Sequence, residues 1–178
     1  MGIPTLISTS TASNASSVAI TSGIDSTYDE YMFVFIDIGP ATDNVIFQFN
    51  GSIDGGSNYN VTKTSTAFRS IHEESTSDPK IQYLTGGDLA QSTAYQFLGD
   101  DYGNGSDESA AGILHLFSPS STTYVKHFYA RMSTYQSANA SQSFYIAGYF
   151  NDTNDIDAVS FKMNSGNFDG VIQLFGIA

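Results

Sequence analysis

The chain has 178 residues, and a hydrophobic fraction of 40% with an aromatic fraction of 13% is enough to build one folded domain. It is strongly acidic, with 6 Lys and Arg against 18 Asp and Glu, and such a surface repels phosphate backbones, which argues against nucleic-acid binding. It has no cysteine, so disulfides, thiolate metal sites and cysteine nucleophiles are excluded.

The beginning of the sequence is rich in Ser and Thr and alternates only weakly between polar and apolar residues. We predict an N-terminal arm over residues 1–22 that holds one or two edge strands, followed by a single domain over residues 23–178. A terminal arm can pair with a neighbouring subunit, although an ordinary edge strand is the simpler interpretation. No basic leader precedes an apolar run, so we expect no signal peptide. We also expect no membrane insertion, because no apolar run approaches about 20 residues.

The first strong strand signal lies between Glu30 and Ile38, where aromatic and β-branched residues occupy both alternating faces. This pattern predicts a strand that is buried on two sides. The next segment alternates more clearly and places Val45, Phe47 and Phe49 on one face. Residues 39–44 between them contain Gly, Pro, Asp and Asn and predict a turn.

Strand patterns continue to the end of the chain, separated by turn-forming clusters of Gly, Asn, Asp, Ser and Pro. No stretch holds a helical period, although HEESTSDPK is compatible with a short helix and TGGDLAQST with a loop. We therefore predict an all-β protein, an antiparallel β-sandwich of jelly-roll type. Its predicted core strands are Tyr31–Ile38, Val45–Phe49, Tyr124–Met132 and Val171–Ile177.

Acidic runs suggest one candidate metal site. The oxygen-bearing side chains of Asp152, Asn154, Asp155 and Asp157 lie close together in sequence and form a candidate calcium loop. The run lacks the glycine and closing glutamate of an EF-hand, so ordinary turn residues remain the alternative. A second acidic run between residues 100 and 107 has the same ambiguity.

No residue pattern predicts catalysis. His115 and His127 fall in predicted strands and could meet across a sheet, but the sequence shows no carboxylate partner for them, so we interpret them as structural. There is no G-x-S-x-G motif, and the acids lie in turn-like runs rather than facing a cleft. We expect no catalytic residue and no cofactor apart from the calcium candidate.

Tyrosine is abundant, with 11 residues, whereas tryptophan is absent. Tyrosine rings bury area while their hydroxyls stay hydrated, which suits a sugar site or a subunit interface. Strand propensity alone also enriches tyrosine. The missing tryptophan weakens the sugar-binding interpretation.

Five blocks of the sequence carry a resemblance: SGIDSTYDEYMFVFIDIGPATDN, STAFRSIHEE, SPSSTTYVKHFYARM, SFYIAGYFN and SGNFDGVIQLFGI. They resemble uncharacterised structural proteins of tailed phages, especially marine ones, over Ser22 to Ile177. The resemblance implies a β-sandwich on a virion surface, either a capsid decoration or head-fibre protein or a tail-fibre domain, and it carries no known catalytic residues.

These observations lead to one functional expectation and two alternatives. The chain is expected to be a non-enzymatic virion structural protein, located at the virion surface, whose partners are other copies of itself in a symmetric oligomer such as a trimer and other virion proteins. The first alternative is a tip domain of a tail fibre that binds a host surface glycan or receptor. The second is an extracellular hydrolase.

Overall fold

The computed structural model describes residues 2–75 and 79–178, and within them the chain is built of antiparallel strands with one short 3-10 helix at Thr85–Gly87. None of the described residues forms a helix long and apolar enough to span a bilayer. The strands are Thr5–Ala15 (β1), Val18–Ile20 (β2), Glu30–Pro40 (β3), Val45–Ser52 (β4), Lys63–Glu73 (β5), Lys80–Tyr83 (β6), Leu89–Ser92 (β7), Gln96–Tyr102 (β8), Ala110–Phe117 (β9), Lys126–Gln136 (β10), Ala140–Phe150 (β11), Ala158–Met163 (β12) and Phe168–Ile177 (β13).

The strands form one sheet that nearly closes on itself. Its larger layer has the order β1-β13-β3-β9-β10-β11-β5, with β6 and β7 both paired to β5, and its smaller layer has the order β8-β4-β12-β2. Among residues 2–75 and 79–178, the strand pairing of β10 with β8, which connects the two layers, consists of the single register pair Gln136 with Tyr102. The predicted all-β class is confirmed, and the arrangement is compatible with a sandwich or a jelly roll.

Aromatic side chains fill the space between the layers. Phe33 on β3 lies 5.3 Å from Phe161 on β12, and Phe49 on β4 lies 5.2 Å from Phe128 on β10, measured between ring centroids. These residues occupy alternate positions of their strands, and each side chain is buried. Period-2 alternation therefore sends one face of each layer into a shared core.

The longest hairpin, β10 and β11, has an unbroken register from the pair Lys126 and Phe150 to the pair Gln136 and Ala140. Its turn places Asn139 at a φ of 56°, a left-handed conformation that asparagine tolerates better than most residues. The backbone N–H of Asn139 donates to the carbonyl of Gln136 at 2.9 Å. This tight turn fixes which side chains of the two strands face outwards.

The segment predicted as an arm or edge strand, residues 1–22, forms two edge strands of the chain's own sheet. β1 pairs with β13 in the larger layer, and β2 pairs with β12 in the smaller layer. Because β1 and β2 follow each other directly in the chain, the segment crosses from one layer to the other. It thereby brings the two ends of the sheet close together.

Two of the predicted core strands differ from the structure. β3 buries only one face, since Tyr31, Phe33 and Phe35 point into the core whereas Met32 and Val34 lie on the outside, half-buried. The third core strand begins at Lys126 and not at Tyr124, because Tyr124 is held in a turn in which its N–H donates to the Ser121 hydroxyl.

Strands β5 and β8 are not predicted from the sequence, because their Ser, Thr, Asp and Gly residues are also typical of loops. The segment considered as a short helix instead completes β5 and turns at residues 74 and 75, and its residues 76–78 lie outside the described residues. TGGDLAQST forms the 3-10 helix and β7 in place of a loop.

Candidate functional surface

The outer side of the larger layer carries a set of aromatic side chains that the core does not cover. They come from four neighbouring strands, in which residues at every second position point outwards, and adjacent strands bring them side by side. We call this set the outer aromatic face. Its members are Phe68 on β5, Phe117 on β9, His127 and Tyr129 on β10, and Tyr145 and Tyr149 on β11.

Several of these rings are ordered by contact with one another. Phe68 and Tyr145, which are register partners, stack with centroids 4.9 Å apart and planes only 6° apart. The Arg131 guanidinium lies 5.2 Å from the centre of the Tyr145 ring. Tyr129 stacks on His115 at 4.6 Å. Rings already held in place lose little conformational entropy when a partner covers them.

Two depressions of about 500 and 440 Å³ indent the face. Both are lined by Thr66, Tyr129 and Ala147, so they adjoin, and we refer to the two together as the groove. The base of the groove lies close to the backbone at Ala147 and Gly148, which have a small side chain or none, whereas the neighbouring tyrosine rings project above it. The groove is open and dominated by apolar surface, which suits a docking surface better than an enclosed reaction site.

His115 has a carboxylate partner that the sequence does not reveal. Its Nδ1 lies 2.5 Å from Glu30 Oε1, although the two residues are 85 positions apart. His127 lies on the same outer side but faces the Tyr149 ring at 5.9 Å. The pair of His115 and Glu30 could orient a base, but no hydroxyl nucleophile is hydrogen-bonded to His115 among residues 2–75 and 79–178.

Charge is distributed unevenly over the molecule. β9, β10 and β11 contain no Asp or Glu, although the chain has 18 of them. Glu30 borders the outer aromatic face, and it is paired with His115. The centre of the larger layer is therefore a carboxylate-free area on a protein with a net charge of -12.

The candidate calcium residues do not converge on one point. The Asp152 carboxylate accepts hydrogen bonds from the backbone N–H and the side-chain amide of Asn154, at 2.7 and 2.8 Å, as in an ordinary turn. Asp157 turns towards another loop and accepts from the N–H of Gly55 at 2.9 Å. Burial lowers the pKa of Lys126, and the negative charges of Asp152 and Asp155 oppose that shift. In the described part of the chain, no three His, Asp or Glu residues are grouped to hold a metal.

The second acidic run, near residue 100, supplies a partly buried ion pair. Asp100 Oδ1 lies 2.7 Å from Arg69 Nη1, and Asp101 Oδ2 lies 3.4 Å from the same nitrogen. Burial raises the pKa of Asp100, while the charge of Arg69 opposes that rise. Gln136 donates to Asp101 at 3.0 Å. The cluster ties β5, β8 and β10 together where the two layers meet.

The sequence contains the outer aromatic face but does not identify it. β9, β10 and β11 carry aromatic residues at outward positions among polar ones, and the abundance of tyrosine is compatible with a sugar site, a subunit interface or strand propensity alone. Phe68 lies in β5, a strand that the sequence did not predict. A search for strands that are apolar on both faces could have found the surface, but not which face remains uncovered.

Comparisons with protein-family models, curated proteins and solved structures find no match to this chain.

Proposed function

We propose that the chain is a non-enzymatic structural module that assembles with other copies of itself through its outer aromatic face. The observation that carries this proposal is the exposure of pre-stacked aromatic rings on the centre of a sheet. Tyr129 and Phe68 each leave 44% of their surface in solvent. Large aromatic patches of this kind are typical of interaction sites, and Tyr is enriched where binding energy is concentrated.

The distribution of charge favours a second copy of this chain as the partner. Two molecules of net charge -12 repel each other over most of their surfaces. The area formed by β9, β10 and β11 lacks carboxylates, so it is where two copies can approach with the least repulsion. Depletion of charge from the centre is also typical of protein interfaces.

The size of the surface is sufficient for most of an interface. The four strands β9, β10, β11 and β5 lie side by side, and at about 4.8 Å per strand and about 3.3 Å per residue over the 8 residues of β9 they offer roughly 500 Å² in projection. The side chains that project from the sheet make the accessible area larger than this projected area. A stable interface buries about 800 Å² on each partner, so one such face supplies most of what is needed.

Charge insertion into the face tests the proposal. Tyr129→Glu and Tyr149→Glu are expected to weaken self-association at least 30-fold, equal to about 2 kcal/mol, because each removes a ring and buries a carboxylate. Tyr124→Glu is the matched control, since Tyr124 lies in a loop with 73% of its surface exposed. Sedimentation velocity over a concentration series gives the dissociation constants.

The outcomes separate this proposal from its alternative. If the wild-type chain remains monomeric at high concentration, or if the control weakens association as much as the test variants, assembly through this face is wrong. A monomer that binds glycans through Tyr129 and Tyr149 would favour the fibre-tip hypothesis, because sugars also stack on aromatic rings beside hydroxyl groups.

The location that we propose for this module is a virion surface, where repeated copies stabilise or display part of the capsid or an appendage. The support for this location is the resemblance of the blocks between Ser22 and Ile177 to structural proteins of tailed phages. A symmetric assembly is the form that such copies ordinarily take.

A further inference from the structure

β1 differs from the other edge strands of the sheet in its length. It has 11 residues, whereas β2 has 3 and β6 and β7 have 4 each. Short edge strands are one of the ways in which proteins avoid edge-to-edge pairing. The long edge at β1 lacks this protection.

The free side of β1 presents unpaired backbone groups. The strand pairs with β13 on one side only, and its register is regular over residues 8–12, between shifts that follow Leu6 and Ala12. Within the described residues, no backbone hydrogen bond joins the opposite side of β1 to another segment. Alternate N–H and C=O groups of an antiparallel strand point away from its partner, so β1 holds a row of donors and acceptors directed outwards.

The side chains of β1 do not block this edge. The sequence TLISTSTASNA contains no charged residue and no proline, the two residue types that usually guard an exposed edge. Thr9 and Thr11 are exposed and pair well across strands. An uncharged edge is also a place where a second acidic molecule can approach without repulsion.

We propose that two copies of the chain pair their β1 strands antiparallel about a two-fold axis, which joins their larger layers into one continuous sheet. Antiparallel self-pairing satisfies the outward backbone groups of both copies with the same segment, as a two-fold interface requires. The inference does not depend on the outer aromatic face, which lies on the broad side of the layer and not on its edge.

Single cysteines test the pairing directly, because the protein has no cysteine of its own. Residues near the middle of β1 face their counterparts across the axis at Cα distances of about 4.5–5.5 Å, within reach of a disulfide. We expect Thr9→Cys, Ser10→Cys or Thr11→Cys to give a disulfide-linked dimer under mild oxidation, with the amount depending on register. Thr123→Cys, in an exposed loop, is the control.

A second pair of variants tests the same edge without oxidation. Thr9→Lys with Thr11→Lys is expected to raise the dimer dissociation constant at least tenfold, because four like charges meet across the axis. Thr122→Lys with Thr123→Lys adds the same charge elsewhere and is expected to leave association unchanged. Circular dichroism establishes that each variant is folded.

Cross-linking no greater than that of Thr123→Cys at all three positions overturns the inference, and so does an assembly that contains only odd numbers of copies. If Tyr129→Glu abolishes one step of assembly while cysteine cross-linking at β1 persists, both interfaces exist. If the tyrosine variants have no effect and β1 still cross-links, only the proposal for the outer aromatic face fails.

Discussion

At the scale of single residues, the fold contains an energetically costly group in its core. Lys63 at the start of β5 is fully buried, and its Nζ donates to the carbonyl of Ala94 at 2.6 Å. No carboxylate among the described residues forms an ion pair with it. Burial lowers its pKa from 10.5 to about 7, since an ammonium ion is poorly solvated there.

This shift gives stability a definite pH dependence. The unfolded chain binds more protons at Lys63 than the folded chain between about pH 7 and pH 10.5, so this residue makes the free energy of unfolding rise with pH in that window. Below pH 7 the penalty of burying the charge is fully present. Lys63→Met is therefore expected to stabilise the protein by about 2 kcal/mol at pH 6, and the gain should shrink as pH approaches 10.

Urea denaturation at pH 6, 8 and 10 measures the difference. Lys63→Arg is the informative comparison, because arginine stays charged at every pH. It should be less stable than the wild type by an amount that grows with pH. Wild-type and Lys63→Met stabilities that run parallel from pH 6 to pH 10 would contradict the assigned shift.

At the scale of elements, β12 connects the two layers through one ring. The Phe161 ring contacts Phe33 and Phe35 in the larger layer and Phe47 and Phe49 in the smaller one, at centroid distances of 5.2–6.3 Å. β12 has only six residues, so backbone pairing alone is a modest contribution. Aromatic packing is what holds this strand against the opposite layer.

Phe161→Ala is expected to lower the free energy of unfolding by about 3–5 kcal/mol, because the cavity that it leaves is lined by rings that cannot collapse into it. Tyr124→Ala, at an exposed position, should change stability by less than about 0.5 kcal/mol. Thermal and urea unfolding report both values. A loss of under 1 kcal/mol for Phe161→Ala would mean that the layers are held together elsewhere.

At the scale of the whole molecule, the two proposed interfaces lie on different parts of the larger layer. β1 lies at the edge of the larger layer and pairs about a two-fold axis, whereas the outer aromatic face lies on the broad side of the same layer. A molecule with two such surfaces can build an extended or closed array of copies. This capacity is what the proposed role as a repeated surface component requires.

A virion location makes a prediction at this scale. The chain should be present in purified phage particles in many copies per particle, because a symmetric shell or fibre repeats its components. Quantitative mass spectrometry of such particles, with cryo-electron microscopy of their surface, measures the copy number and the position. Absence of the chain from purified particles would contradict the proposed location while leaving self-assembly open.

The sequence by itself determined the fold class and much of the core. Alternation placed Phe47 and Phe49 on one inward face, and turn-forming residues separated the strands, because both signals act between neighbours in the chain. It did not determine β5 or β8, because their polar residues are also compatible with loops, and only the fold brings Arg69 of β5 beside Asp100 of β8 in a partly buried ion pair.

Only the tertiary structure decided which apolar side of the larger layer stays uncovered. The apolar pattern of β3 predicted burial on both sides, but the second layer covers only one of them, and Met32 lies on the other. The pairing of His115 with Glu30 likewise depends on β3 lying beside β9, although the two strands are far apart in sequence. Strand order sets such neighbours, and strand order is fixed by long-range packing rather than by local pattern.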